Sequence, residues 1–267
     1  MSNKERLDIL LVNRGLFESR EKAKAAIMAG QIFMDTTRID KAGTKIPVDA
    51  NITVKGNTLP YVSRGGLKLE KAIQIYPIDL TGAVMIDIGA STGGFTDCAL
   101  QNGASKVIAI DVGYNQLAWK LRQDERVINM EKQNIRAVTA EQLGELVDFI
   151  SIDVAFISLD KVLPVATTLL KDTGSLVALI KPQFEAGKEK VGKGGIVRDR
   201  AVHEEVLSRI LQVAYDCKLY LHGLTFSPIK GTEGNIEFLG YFTKSEEGAL
   251  SITDELITAV VDEAHTL

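Results

Sequence analysis

The chain has 267 residues, 45% of them hydrophobic, enough for one large or two unequal domains with a substantial core. No run approaches the ~18 apolar residues of a membrane span, and the charged start Met1-Ser2-Asn3-Lys4-Glu5-Arg6 leads into no signal-peptide apolar region. Cys98 and Cys217 have no metal-ligand spacing, so the expectation is a protein of the reducing cytoplasm with no metal and no membrane partner.

Charge is unevenly spread. Residues 1 to 71 carry 13 Lys and Arg against 8 Asp and Glu, while the remainder is acidic, as befits a small basic module that finds a polyanion for a larger partner domain. In that module Leu7, Leu10 and Leu11 recur at helical spacing and Gly15 stops the helix. Ser19 caps a second helix that buries Ala23, Ala26 and Ile27 and ends at Gly30, and short strands are expected around Ile32 to Met34 and Asn51 to Val54. Arg6, Arg20, Lys22 and Lys24 would line an exposed face able to meet phosphates without reading base sequence. Leu59-Pro60-Tyr61-Val62 reads as a linker, because Pro60 removes a backbone donor and biases Leu59 to extended geometry. Lys68, within Ser63-Arg64-Gly65-Gly66-Leu67-Lys68-Leu69, begins a helix through Ile73.

Val84 to Phe95 organises the rest: a β-branched apolar run ends in a glycine-rich turn, the way a buried parallel strand delivers a nucleotide-like ligand to a helix N-terminus. Gly89, Gly93 and Gly94 allow close backbone approach, and Asp111, closing the run Lys106 to Ile110, can accept hydrogen bonds from two ribose hydroxyls. Gly89-Ala90-Ser91-Thr92-Gly93-Gly94 puts serine where a dinucleotide fingerprint has its second glycine. The same letters spell the hydrolase elbow Gly-x-Ser-x-Gly, but none of His203, His222 and His265 has a setting that marks it as the base. A ligand-free turn would leave Asp87 and Asp111 costly.

The alternation continues with helix Gln116 to Arg122, strand Val127 to Met130, helix Thr139 to Leu146 and strand Val147 to Asp153. Helix Ser158 to Leu170, strand Ser175 to Lys181, a basic glycine-rich loop Lys188 to Gly195 and helix Arg200 to Asp216 follow. Strands Leu219 to Phe226 and Asn235 to Phe242 close the sheet, and Thr253 to Ala264 is expected as a surface helix. Strand-helix repeats imply a doubly wound, mainly parallel sheet, and the last two strands, joined without a helix, should pair antiparallel.

Ligands of such sheets bind at strand ends, where Asp153, Lys181 and Glu237 fall, with Lys68 ahead of the first strand. Each alone could be a surface charge or half of a structural ion pair. Together, in the settings Gly66-Leu67-Lys68-Leu69, Ile152-Asp153-Val154, Ile180-Lys181-Pro182 and Ile236-Glu237-Phe238, they resemble the Lys-Asp-Lys-Glu tetrad of FtsJ-type ribose 2′-O-methyltransferases. Arg6-Leu7-Asp8 through Ser19-Arg20-Glu21-Lys22-Ala23 to Gly30-Gln31-Ile32 resembles an S-four-like RNA-binding domain. In combination, residues 5 to 245 resemble the TlyA family of ribosomal RNA cytidine-2′-O-methyltransferases, long labelled haemolysins. The linker departs from that family's pattern, which often has an arginine and, two residues on, a tryptophan where Leu59 and Tyr61 stand.

The resemblance implies an α/β chain: an S-four-like α+β domain at 1–58, a linker at 59–62, a Rossmann-like class I methyltransferase domain at 63–248 with a seven-stranded sheet whose last strand is antiparallel, and a helical tail at 249–267. It implies S-adenosylmethionine as cofactor, held by Asp87, Gly89, Ser91, Gly93, Gly94, Phe95, Asp111 and Asn134. Catalysis falls to Lys68, Asp153, Lys181 and Glu237, with Lys181 accepting or orienting the 2′-hydroxyl proton. The partner is ribosomal RNA in ribosomal subunits, met by Arg6, Arg20, Lys22, Lys24, Arg64 and the loop residues Lys188, Lys190 and Lys193. Asp153-Val154-Ala155-Phe156 lacks the prolines common in amino-methylation of bases, and neither cysteine is placed for carbon-5 methylation. A membrane-active haemolysin and a noncatalytic ribosome-assembly factor stay open as alternatives.

Overall fold

The computed structural model describes residues 4–17, 19–55 and 59–266. The chain divides into two compact units, Met1–Pro60 and Tyr61–Leu267.

The first unit contains β1 (Lys4–Arg6), α1 (Leu7–Asn13), α2 (Arg20–Met28), β2 (Ile32–Met34), β3 (Thr37–Arg38), β4 (Lys45–Pro47) and β5 (Ile52–Val54). Its core is Leu7, Leu10, Leu11, Ala23, Ala26, Ile27, Ile32 and Ile46. Ser19 caps α2 through the Lys22 N–H, and Gly15 and Gly30 take the positive φ that ends each helix.

The second unit runs α3 (Gly66–Ile75), β6 (Val84–Ile88), α4 (Gly94–Gln101), β7 (Lys106–Ile110), α5 (Trp119–Arg122), β8 (Val127–Met130), α6 (Ala140–Leu143) and β9 (Val147–Ile152). It continues with α7 (Leu163–Leu169), β10 (Leu170–Ile180), α8 (Pro182–Glu185), α9 (Arg200–Asp216), β11 (Tyr220–Phe226), β12 (Phe238–Thr243) and α10 (Asp254–Ala264). Seven strands lie in the order β11-β12-β10-β9-β6-β7-β8, with β12 antiparallel to both neighbours and β10 through β8 parallel. Residues alternate between the faces: Ile86, Ile88, Ile150 and Ile152 join one core with α7, α9 and α10, whereas Met85, Phe149, Val177 and Leu179 join another with α3 and α4. Strand order reverses between β6 and β9, the place where open α/β sheets bind ligands.

Several expected elements differ. The helix from Gln116 shortens to Trp119–Arg122, because Asn115 has φ +57° and Ala118 is extended, its N–H bound to the Thr92 carbonyl. The helix from Thr139 stops after Leu143, where Gly144 turns left-handed at φ +77°. The span from Ser158 splits into a 3-10 turn, Leu159–Lys161, and α7, at whose N-terminus Pro164 lacks an N–H for a continuous helix. Strand β10 reaches back to Leu170 across a bulge, and Glu237 lies just ahead of β12 instead of within it. The C-terminal helix is no surface appendage: Ile257, Val260, Val261 and Ala264 are buried in the main core. Of the expected linker, Tyr61 is buried and donates to Glu70 at 2.9 Å, and the Val62 N–H meets Asp97 at 2.8 Å.

Candidate active site

The turn after β6 is built before any ligand arrives. Gly89 has φ +84°, and a Cβ there would lie 2.4 Å from the Asp153 carbonyl oxygen, so glycine lets β6 and β9 end side by side. Gly93 serves packing: its Cβ would strike Leu121 at 2.3 Å and Leu117 at 2.8 Å. The structure thus adds a packing constraint at Gly93 beside the expected approach to a ligand. At Gly94 a Cβ would lie 2.4 Å from Ser63 Oγ and 2.8 Å from Gly66 N, so glycine there sets the closeness of α3 and α4. Asp87 is fully buried and accepts from Thr96 N, Thr96 Oγ1 at 2.7 Å and Ser151 Oγ at 3.1 Å. Burial pushes its carboxyl up to about 6 against those bonds. It braces the turn from beneath.

Two cavities flank the turn and share Gly89, Ser91, Asp153 and Ala155. The larger, about 540 Å³, has apolar walls that include Ile88, Ile110, Ile135 and Ile157, and polar groups from Asp111, Gln116, Gln133 and Asn134. Asp111 accepts from Ser91 N at 2.8 Å on one oxygen and from Gly113 N at 2.6 Å on the other, which fixes the carboxylate and leaves further lone pairs. Asn134 caps a short turn with Oδ1 on the Arg136 N–H, so its Nδ2 is the end available to a ligand. Apolar walls for a flat ring and a fixed carboxylate for a diol suit an adenosine.

The smaller cavity, about 330 Å³, collects all four expected catalytic side chains with Arg64, Ser91, Gly94 and Phe95. Lys181 Nζ sits 2.5 Å from Asp153 Oδ1, and Lys68 Nζ sits 2.6 Å from Glu237 Oε2 and 4.0 Å from Asp153 Oδ2. Lys68 and Glu237 are almost fully buried. Gly231 makes room for Glu237, because a Cβ there would lie 2.1 Å from Oε1. Two cations and two carboxylates thus form one neutral chain of charges at the sheet's reversal point.

Sequence reasoning missed three neighbours. Gln183 donates to Glu237 Oε1 at 3.3 Å, and its own carbonyl oxygen is buried with no partner among the described residues. Phe156, three residues past Asp153, is 90% exposed at φ +62° and packs at 4.9 Å on Phe184. An exposed aromatic in a strained backbone beside charged strand ends is a functional signal, and its place after the fourth strand was the available clue. Asn235 lies buried two residues ahead of Glu237.

The expected RNA-binding residues divide. Arg64 lines the smaller cavity, whereas Arg6 and Arg20 both pair with the fully buried Asp8, at 3.0 and 2.9 Å. The bond from Arg6 holds the Asp8 carboxyl well below the usual range. These two arginines are therefore part of the module's fold as well as its surface. Lys22 is exposed and Lys24 half-buried. The loop after α8 is folded rather than free: Lys188–Lys190 form a 3-10 turn, Gly192 bridges Ile196, and Lys190 pairs with Glu205 at 2.5 Å, leaving Lys188 and Lys193 exposed. The hydrolase reading has no base among the described residues: His203 meets His265 and the Val197 carbonyl, and His222 meets Ser245 and Thr243.

Comparison with known proteins agrees with this geometry. Residues 61–244 match the FtsJ-like methyltransferase description and residues 5–52 the S4 domain. Bacillus subtilis YqxC is 57% identical over 99% of this chain and 95% of its own. The Mycobacterium tuberculosis 16S/23S rRNA (cytidine-2′-O)-methyltransferase TlyA is 38% identical over 94% of each chain. A solved structure from Streptococcus thermophilus that bears the hemolysin name is 48% identical, covers 100% of this chain and 97% of its own, and superposes with a TM-score of 0.77. The chain belongs to the FtsJ-like methyltransferase family, in the S4-bearing group that includes TlyA.

Proposed function

We propose that the protein methylates the ribose 2′-hydroxyl of a cytidine in ribosomal RNA with S-adenosylmethionine as donor. The observation that carries this reading is the Lys181–Asp153–Lys68–Glu237 chain beside a cavity suited to an adenosine. When bound, the cofactor supplies an electrophilic methyl group. Asp111 would take the ribose hydroxyls and Asn134 Nδ2 a ring nitrogen. Asp153 fixes the Lys181 ammonium at 2.5 Å, and Glu237 fixes that of Lys68 at 2.6 Å, so each lysine meets an acceptor oxygen in a set orientation. As an ammonium Lys181 orients the 2′-hydroxyl; it takes the hydroxyl proton as the oxygen is methylated only from the neutral amine form, after its own proton has been given up to solvent. Much of the acceleration comes from holding nucleophile and methyl in line. Phe156 offers a ring face on which an unstacked base can rest, and Arg64 a charge for its phosphate.

The S4 unit, with Lys22 and Lys24, binds the RNA backbone, and a ribosomal substrate implies a cytoplasmic site of action. The hemolysin name of some relatives gains no support from the fold, since among the described residues no helix is long and apolar enough to cross a membrane. The deciding experiment is transfer of radiolabelled methyl groups to ribosomal subunits lacking the modification, followed by alkaline hydrolysis. Label in alkali-resistant dinucleotides containing cytidine is expected. Label in bases, or none with subunits or free RNA, would overturn the proposal.

A further inference from the structure

Between α8 and α9 the chain leaves the end of β10 through the basic loop Gly187–Gly195, and nothing in that loop's composition would hold it in one place. Its far end is nevertheless fastened. The Asn235 side chain accepts the Val197 N–H at 3.0 Å through Oδ1 and donates to the Gly195 carbonyl at 2.9 Å through Nδ2. The two partners fix the amide's orientation, because an N–H requires the oxygen and a carbonyl requires the amino group. On Val197's other side, His203 Nε2 meets its carbonyl at 3.2 Å. Asn235 is 2% exposed, and its own carbonyl accepts from Gly231 N at 2.8 Å. Gly231 is the residue against which the Glu237 carboxylate rests, and the Glu237 carbonyl in turn accepts the Ser227 N–H at 2.8 Å. A single amide therefore joins the end of the basic loop to the short segment that positions Glu237.

We propose that Asn235 is a positioning residue that holds the loop of Lys188, Lys190 and Lys193 in register with the Lys68–Glu237 pair, so that nucleotide held by the loop lies at the reacting centre. The inference rests on the methyltransferase reading of the site. The Glu237 segment is set by the backbone bonds at Asn235 and Glu237, and the loop, besides the Lys190–Glu205 pair and the Gly192–Ile196 bridge, by the Asn235 bonds to that same turn. Freeing the loop leaves Asp111 and Asn134 in place, because they line the larger cavity, which contains neither the loop nor Glu237.

The test uses the full chain with Asn235→Ser and with Asn235→Asp, which keeps an acceptor for the Val197 N–H but sets a buried carboxylate against the Gly195 carbonyl. Loss of one or two hydrogen bonds should speed trypsin cleavage at Lys188 to Lys193 by about 10- to 100-fold. Turnover on saturating RNA should fall about tenfold or more while KM for RNA moves less, the pattern of lost alignment in the transition state. Calorimetric affinity for S-adenosylmethionine should stay within about twofold of wild type, since no group that meets the cofactor changes. Unchanged loop cleavage and turnover in both variants would overturn the proposal. So would a parallel loss of cofactor affinity, which would mark Asn235 as a general support of the fold. If wild type transfers no methyl group to any RNA, the functional reading fails instead, and the cleavage rates still decide whether Asn235 fastens the loop.

Discussion

The Lys68–Glu237 pair allows stability and catalysis to be separated by a double-mutant cycle. Both partners are nearly buried and 2.6 Å apart, so removing either alone leaves a charge out of water, at a cost of about 3–5 kcal/mol. The two singles should not be equal. In Glu237→Leu the lysine still has Asp153 at 4.0 Å, whereas in Lys68→Met the carboxylate keeps, among the described residues, only the Gln183 amide at 3.3 Å. Lys68→Met should therefore fall at the upper end of that range and Glu237→Leu at the lower. With both charges gone the desolvation cost goes too, and the double variant should unfold within about 1–2 kcal/mol of wild type. Urea midpoints at constant slope measure all four proteins, calorimetry reports the cofactor cavity, and labelled methyl transfer reports the chemistry. The double variant should bind S-adenosylmethionine normally and transfer no methyl group. Additive destabilisation would show that the two charges are not a desolvated pair, and methyl transfer by the stable double variant would remove both residues from the mechanism.

Asp111→Ala should weaken S-adenosylmethionine binding by about 1.5–3 kcal/mol, roughly 10- to 100-fold in Kd, because the ribose hydroxyls no longer meet a fixed carboxylate; an unchanged Kd by calorimetry would move the ribose elsewhere. Replacing Lys22 and Lys24 with glutamine should flatten the salt dependence of RNA binding, at any sequence, by ~0.7–0.9 for each phosphate that is no longer neutralised. Arg6 and Arg20 are unsuitable probes, since removing them strands the buried Asp8. Burial, and then His265, lowers the His203 imidazole to about 4 from 6.5. As pH falls below 6.5 the unfolded chain takes up this proton first, so its contribution of about 3 kcal/mol is progressively lost toward pH 4. The stability difference between wild type and His203→Gln should shift by that amount between pH 7.5 and 4, and a pH-independent difference would refute it. Phe156→Ala should reduce turnover and, since the residue also lines the larger cavity, weaken cofactor binding as well; normal kinetics on ribosomal subunits would show that the ring meets no base.

The strands were legible because β-branched runs bounded by turn residues have few other uses, and the carboxylates and lysines at their ends stood out against that background. Pairing was not legible. Lys68 and Glu237 are 169 positions apart, and no local pattern announces that their side chains touch. Gly93 stood out by its motif position, but its packing constraint was not legible: Leu117 and Leu121 reach it from a segment whose extended course the helical periodicity obscured. Arg6 and Arg20 were read from charge alone, and charge does not reveal that both neutralise Asp8, a fully buried carboxylate on the inward side of its helix. Gln183 and Asn235 escaped for a related reason. A neutral amide is unremarkable in sequence, and its importance lies in which two backbones or charges it spans.

The composition of the charged chain bears on what it can contribute. A sulfonium donor is itself a cation, so two unpaired lysines beside it would oppose its binding. With Asp153 at 2.5 Å from one lysine and Glu237 at 2.6 Å from the other, the set is neutral and the repulsion is cancelled locally. The same pairings hold each ammonium in one orientation, where a free lysine would sample many rotamers. On the proposed reading, neutrality and rigidity together explain why four ionisable groups would lie beside a cationic donor, and why the carboxylates would matter even though neither needs to touch the reacting oxygen. On that reading their work is to let lysines stand beside a positive donor without turning it away.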